Sequence, residues 1–346
     1  MEKIELKCLS EEQLSELLCG LSEKPFRAKQ IYQWMHQKLA VSPEEMTNLP
    51  KTLRQQLSER FSYTVLEKVV MLVSKDGSTQ KYLFRLEDGN VIETVLMRYH
   101  HGNSVCISSQ VGCRMGCTFC ASTIGGKRRD LTSAEMLEQI YAVMRDTGER
   151  VANVVVMGTG EPLDNYENLI RFIHMLTDEN GLHLSQRNIT VSTCGLPEPM
   201  RRLADEKLAI TLALSLHAPN DELRRKLMPA ARACTIAQLL ELCDLYFRKT
   251  GRRVSFEYSL IEGVNDRPEH AKQLAELLRG RNCHVNLIPV NPVKERDYRR
   301  SNFTNVLSFR KILENGKINV TIRREMGSDI DAACGQLRRR YMEDPE

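Results

Sequence analysis

Charge of one sign is what this sequence most lacks. Its 49 Lys and Arg nearly balance its 45 Asp and Glu, for a formal net charge of +4. That excludes a highly basic nucleic-acid coat and an acidic disordered tail, though not a local basic groove. Nor does any stretch approach the ~18 uninterrupted apolar residues of a membrane span. The opening MEKIELKCLSEEQL contains no apolar h-region, so no secretory signal is expected and the cytoplasm is the expected compartment. Low-complexity segments are absent. What remains is ordinary for a folded protein, with 42% hydrophobic and 27% charged residues. A chain of 346 residues can bury a substantial core and has room for about two domains.

Cysteine, by contrast, is plentiful. Eleven occur, at 8, 19, 106, 113, 117, 120, 194, 234, 243, 283 and 334. In a reducing compartment they do not read as a disulfide scaffold. Four fall between 106 and 120, a crowding that points to a metal or redox site.

Residues 1–62 read as a small helical domain. Leu14, Leu17, Leu18 and Leu21 recur at helical spacing, as do Ile31, Trp34, Met35 and Leu39, with Pro25 between the sets. A third helix is expected within 44–61, interrupted near Pro50. Over 63–103, β-rich runs are broken by Asp76-Gly77 and Asp88-Gly89-Asn90, hairpin signals that predict a β-meander linker. From 104 to 346 strand and helix patterns alternate. Strands are expected at 104–109, 152–157, 188–193, 208–216, 253–260, 284–290 and 318–323. Helices are expected at 132–147, 164–178, 197–206, 235–249, 267–280 and 302–314, the first opened by a Thr132–Glu135 capping box. The fold class is therefore α/β: repeated β/α units imply a parallel sheet with helices outside, and six or so can close partly into a barrel.

Cys113-Arg-Met-Gly-Cys117-Thr-Phe-Cys120 is a C-x3-C-x2-C run directly after the first of these strands. Thiolates are soft ligands suited to zinc or iron–sulfur. Structural zinc takes four ligands, and no fourth Cys or His lies at a matching spacing. The spacing also describes one face of a helix with three core cysteines, but Gly112 and Gly116 make a poor helix and a good tight loop. Gly158-Thr159-Gly160-Glu161-Pro162 follows the apolar run VVVM; alone it is a weak signal, equally a plain strand-to-helix turn.

The cysteine run resembles that of the radical SAM superfamily. Further segments narrow the likeness: ETVLMRY (93–99), CISSQVGCRMGCTFCAS (106–122), MGTGEP (157–162), SLHAPND (215–221), NLIPVNP (286–292) and DIDAACGQL (329–337). Together they resemble the RlmN/Cfr family of RNA adenine methyltransferases over nearly the whole chain.

The resemblance implies a partial (β/α)6 radical SAM barrel over 104–346, a helical RNA-binding accessory domain over 1–62 and the β-rich linker over 63–103. It implies that Cys113, Cys117 and Cys120 hold a 4Fe–4S cluster whose open iron binds S-adenosylmethionine (SAM). Gly160 and Glu161 match the segment that binds the SAM amino group, and Ser192, Ser215, Leu216, His217 and Asn291 match further SAM positions. Glu93 is implied as a proton acceptor, Cys334 as the methyl carrier and Cys106 as the thiol that resolves the RNA adduct, leaving a Cys106–Cys334 disulfide. Adenine C2 is an aromatic C–H and not a nucleophile, whereas a thiolate can take the methyl first.

The implied substrates are adenosine 2503 of 23S rRNA and adenosine 37 of tRNAs. The expected partners are those RNAs and an electron donor such as flavodoxin or ferredoxin, with no membrane and a monomeric chain. Basic clusters at Lys127-Arg128-Arg129, Arg224-Arg225-Lys226, Arg252-Arg253, Arg299-Arg300 and Arg338-Arg339-Arg340, with Lys24 to Lys29, can converge on phosphates if they share a groove. Alternatives stay open: a C8 methyltransferase of the Cfr type, a radical SAM activase or maturase that needs neither Cys106 nor Cys334, and a zinc-stapled RNA-binding protein. FCASTIGGKRRDL and DIDAACGQL look more like the C2 enzyme, with Lys127 a mild departure from the family's usual leucine.

Overall fold

The structure is a computed structural model that describes residues 3–324, 327–330, 337, 338 and 341. Three helices open the chain: α1 (Glu11–Gly20), α2 (Arg27–His36) and α3 (Lys51–Arg60). Ser10 and Gln13 cap α1 reciprocally, and Leu14, Leu18, Ile31, Met35, Leu53 and Leu57 turn into a common core. The third helix is shorter than expected. Pro50 stands before its first residue, because its ring disfavours helical geometry at Leu49, and the upstream acidic residues make only a short turn at Pro43–Glu45. These helices share one apolar core with the rest of the chain. Lys7 pairs with Glu138 at 2.9 Å with neither side chain exposed, and the His36 ring meets the Tyr141 hydroxyl at 2.9 Å.

Strands β1 (Glu67–Val73), β2 (Thr79–Arg85), β3 (Val91–Tyr99) and β4 (Gly102–Cys106) form an antiparallel meander. Its first two turns contain Gly77 and Gly89, both at positive φ. A short ribbon follows, β5 (Gln110–Gly112) against β6 (Lys127–Asp130). Then come α4 (Ser133–Thr147), β7 (Val151–Val156), α5 (Tyr166–Thr177), β8 (Ile189–Thr193), α6 (Pro197–Asp205) and β9 (Thr211–Ser215). Helices α7 (Asp221–Leu227) and α8 (Ile236–Thr250) lead to β10 (Val254–Leu260), α9 (Pro268–Leu278), β11 (Cys283–Pro289), α10 (Phe303–Asn315) and β12 (Asn319–Ile322). The Thr132–Glu135 capping box opens α4 as expected.

Ten strands form one sheet in the order β1-β2-β3-β4-β7-β8-β9-β10-β11-β12, parallel from β4 onward and not closed. The expected α/β partial barrel of six units is thus present. The 63–103 segment is more than a spacer: β3 pairs with β4, so the meander extends the barrel sheet. Helix α7 had no counterpart in the sequence reading. No helix among the described residues is long and apolar enough to cross a membrane.

The two faces of the parallel strands differ. Val154, Val191, Leu212, Leu214, Phe256, Tyr258, Val285 and Leu287 join the core under the helices. The alternate residues, Ser192, Ser215, Ser255, Glu257, His284 and Asn286, face the other way. A parallel sheet normally buries apolar residues on both faces. A polar inner face marks this one as the lining of a site.

Candidate active site

The cysteine loop is an excursion between β5 and β6, not a simple strand-to-helix connection. Cys113 N–H donates to Gly126 O at 3.1 Å, closing its base. Gly112 sits at φ +80° with a would-be Cβ only 1.9 Å from Gly126 O, so no other residue fits there. Thr118 N–H donates to Leu227 O at 2.9 Å, and its hydroxyl meets that of Tyr298 at 2.8 Å. The Thr123 hydroxyl lies 2.9 Å from Cys120 O. The helical alternative for this run is excluded, since only Ala121–Thr123 makes a helical turn.

The three thiols line a cavity of about 150 Å³ at the carboxyl ends of the strands. Met157, Gly160, Glu161, Ser192, Ser215 and His217 line it too. Parallel α/β folds place ligands at this end. Gly160 is at φ +115° and touches the chain at Ser109 and Gln110, where a Cβ would come within 2.8 Å of Gln110 N. Glu161 is 4% exposed; Oε2 accepts from Cys194 N–H at 2.8 Å and Oε1 from Leu163 N–H at 3.1 Å. Burial raises its pKa against those hydrogen bonds, so an incoming ammonium group would relieve the buried carboxylate. The Ser192 and Ser215 hydroxyls stand 3.3 Å apart.

His217 is held in the left-handed region at φ +56°, an uncommon conformation for a residue with a Cβ. Its Nδ1 accepts from Ser259 N–H at 3.0 Å, which leaves the Nε2–H as the ring's donor. Burial, with Arg224 adding to it, lowers its pKa to about 3, so the ring stays neutral. Two expected residues stand apart from the cavity lining. Leu216 is fully buried in the core, and Asn291 lies exposed on the loop after β11.

Sequence reasoning missed Cys194 and misread Arg224. Cys194 is buried beside the cavity and supplies the N–H that holds Glu161. Arg224, expected in a basic cluster, is 1% exposed. Its guanidinium donates to the carbonyls of Cys194 (2.6 Å), Leu216 (3.2 Å) and Ser215 (3.3 Å), tying together the ends of β8 and β9. An arginine so committed is not available to phosphate. Other clusters are partly neutralised: Lys127 pairs with Asp130 and Asp164, and Arg129 with Asp88 and Glu135. Arg225, Lys294, Arg299 and Arg300 remain at exposed positions, and Arg296 of the same loop reaches Thr123 at 3.3 Å.

A second group lies on the same inner face, over β2–β4. Cys106 is 5% exposed and packs with Val95, Met97 and Val155. Met157 touches this cluster and also lines the cavity, so one side chain joins the two. Glu93 is 4% exposed; its Oε1 accepts from Arg338 N–H at 2.6 Å and its Oε2 lies 3.3 Å from Lys81 Nζ. Cys334 lies outside the described residues, as do Arg339 and Arg340.

A three-thiol loop over a cavity at the carboxyl edge of an open six-unit sheet defines a radical SAM enzyme. The family model of the radical SAM superfamily matches residues 107–278, and that of the ribosomal RNA large subunit methyltransferase N-terminal domain matches residues 4–62. A probable dual-specificity RNA methyltransferase RlmN of Lachnospira eligens is 62% identical over 340 residues, 98% of this chain and 97% of that protein. Its counterpart in Lachnoclostridium phytofermentans is 61% identical, over 98% and 96%. The crystal structure of a radical SAM methyltransferase from Sphaerobacter thermophilus matches with a TM-score of 0.93 at 46% identity, covering 96% of this chain and 98% of that one. The chain belongs to the RlmN family of radical SAM RNA methyltransferases.

Radical SAM enzymes use a 4Fe–4S cluster and SAM, and the residues present fit both. Burial, with its neighbours' charges, pushes the Cys113 thiol up to about 12 and Cys117 higher still, so iron is what would make them thiolates. Among the described residues no three His, Cys, Asp or Glu side chains are arranged around a single metal ion.

Proposed function

We infer that this enzyme methylates adenine C2 in RNA, at adenosine 2503 of 23S rRNA and adenosine 37 of tRNAs. The observation that carries the reading is the shared inner face: Met157 links the thiol-lined cavity to the Cys106 and Glu93 group. An activase or maturase would have no use for that second group. Cys113, Cys117 and Cys120 are the cluster ligands. Glu161, approached across Gly160, takes the amino group of SAM, with Ser192, Ser215 and His217 as polar neighbours and Leu216 and Asn291 as flanking family positions. The bound cluster supplies the electron for reductive SAM cleavage.

The protein's own residues then divide the work. Cys334 takes a methyl group on sulfur from one SAM; a hydrogen atom of that methyl would pass to the 5′-deoxyadenosyl radical that cleavage of a second SAM supplies, and the carbon left on Cys334 would add to adenine C2, with the odd electron returned to the cluster. Glu93 removes the ring proton. Cys106 attacks the Cys334 sulfur, so that a disulfide forms as the methylated base leaves. Arg338, four positions after Cys334, already donates its N–H to Glu93, which supports a meeting of these groups. Flavodoxin or ferredoxin is the proposed reductant, the cytoplasm the proposed compartment and a monomer the proposed state.

Digestion of RNA modified by the reconstituted enzyme, followed by nucleoside mass spectrometry, tests the reading. It should yield 2-methyladenosine. Dominant 8-methyladenosine would overturn the position assigned, and no methyladenosine at all would remove the function.

A further inference from the structure

We propose that Lys81 is a positioning residue for RNA methylation: its ammonium holds the Glu93 carboxylate in place on the inner face of the sheet. The inference rests on reading Glu93 as the proton acceptor. Strand register carries it first. Lys81 on β2 faces Val95 on β3, Val95 faces Cys106 on β4, and Cys106 faces Val155 on β7. Opposed residues share a face, and so do residues two apart on a strand. Lys81, Glu93 and Cys106 therefore all project from the side that holds the cavity. Thr94, on the other face, hydrogen bonds to Gln139 under α4 at 2.9 Å.

Burial carries it further. The Lys81 side chain is 0% exposed and that of Glu93 4%, with 3.3 Å between Nζ and Oε2. Leu83, opposite Glu93 on β2, and Val91, two residues before it on β3, pack with Leu337 on the same face. Removing two charges from water is costly, and a buried ion pair is often no more stable than an apolar pair of the same volume. Stability therefore does not account for this pair.

Chemistry does. A proton acceptor must be held at one place to reach the C2 proton, and the Lys81 ammonium 3.3 Å away holds Oε2 of Glu93. The other oxygen of Glu93 is held by the Arg338 N–H, so Oε1 is tied to the segment that follows Cys334 and Oε2 to the barrel sheet. Lys81 fixes the position of the base from the sheet side, opposite the Arg338 contact.

The test uses the full-length enzyme with its cluster reconstituted and RNA present. It compares wild type, Glu93→Gln, Lys81→Met, Lys81→Gln and Lys81→Arg. Three products are followed: 5′-deoxyadenosine, RNA–protein adduct on a denaturing gel, and free 2-methyladenosine. Lys81→Met should keep 5′-deoxyadenosine formation, accumulate adduct as Glu93→Gln does, and release product slower by about tenfold or more. Lys81→Gln, which leaves a donor in the sheet without its charge, serves if the methionine variant does not fold and should behave alike. Lys81→Arg keeps the charge and should recover release. Wild-type release by Lys81→Met or Lys81→Gln overturns the proposal. So does loss of all three products together, or an arginine variant no better than methionine. If Glu93→Gln itself releases RNA normally, the base reading has failed, and that arm shows it separately.

Discussion

Cys106→Ala enzyme, incubated with RNA, SAM and reductant, should become covalently fixed to its RNA and turn over no further. Cys106 sits on β4 with its side chain packed against Val95, Met97 and Val155. Alanine there removes one sulfur from a nearly closed apolar cluster, at a cost of about 1 kcal/mol, so the fold should survive. The chemistry should not. Once the methyl carbon on Cys334 is joined to adenine, only a second thiol can attack that sulfur and free the base. The trapped species should run as a shifted band on a denaturing gel and vanish on ribonuclease treatment. Cys334→Ala should give no such band, because no carbon is ever loaded, and neither should the double variant. Cys106→Ala protein that runs free of RNA would remove the resolving role.

Cys117→Ala should abolish the brown iron–sulfur chromophore after anaerobic reconstitution and reduce 5′-deoxyadenosine to background. Cys113→Ala and Cys120→Ala should do the same. These thiols sit on a loop closed by the β5–β6 ribbon and pinned to Leu227, so a lost ligand cannot be replaced by a shift of its neighbours. Cys194→Ala is the informative control. That thiol also lines the cavity and hydrogen bonds to Glu161, but the backbone N–H that holds the same carboxylate at 2.8 Å survives the substitution. Cluster content and colour should be retained. A brown Cys117→Ala protein, or a colourless Cys194→Ala protein, would mean that the ligand set is misassigned.

Local rules explain what could be seen in the sequence. The capping box before α4, the glycines of the first two meander turns and the strand–helix rhythm all follow from residues close in the chain. The glycine of GTGEP is a weak signal by itself and is named by resemblance; Gly160 lies where any Cβ would meet Gln110. What could not be seen depends on distant pairing. Nothing in residues 63–103 says that β3 will pair with β4 and continue the barrel sheet. Arg224 belongs to a run of three basic residues, and only the arrival of the β8 and β9 ends turns it inward to three carbonyls. Lys81 reads as a polar position on an ordinary strand until register sets it beside Glu93. Asn291, named by resemblance, lies exposed after β11, away from the cavity lining.

The two-thiol transfer is the central claim, and its most direct test is the state of Cys334. Active wild-type enzyme should be incubated with methyl-deuterated SAM, quenched and digested with trypsin, and the peptide carrying Cys334 examined by mass spectrometry. A deuterated methyl group on the Cys334 sulfur is the predicted result. Enzyme that makes 2-methyladenosine while its Cys334 peptide stays unmethylated at every time point would contradict it.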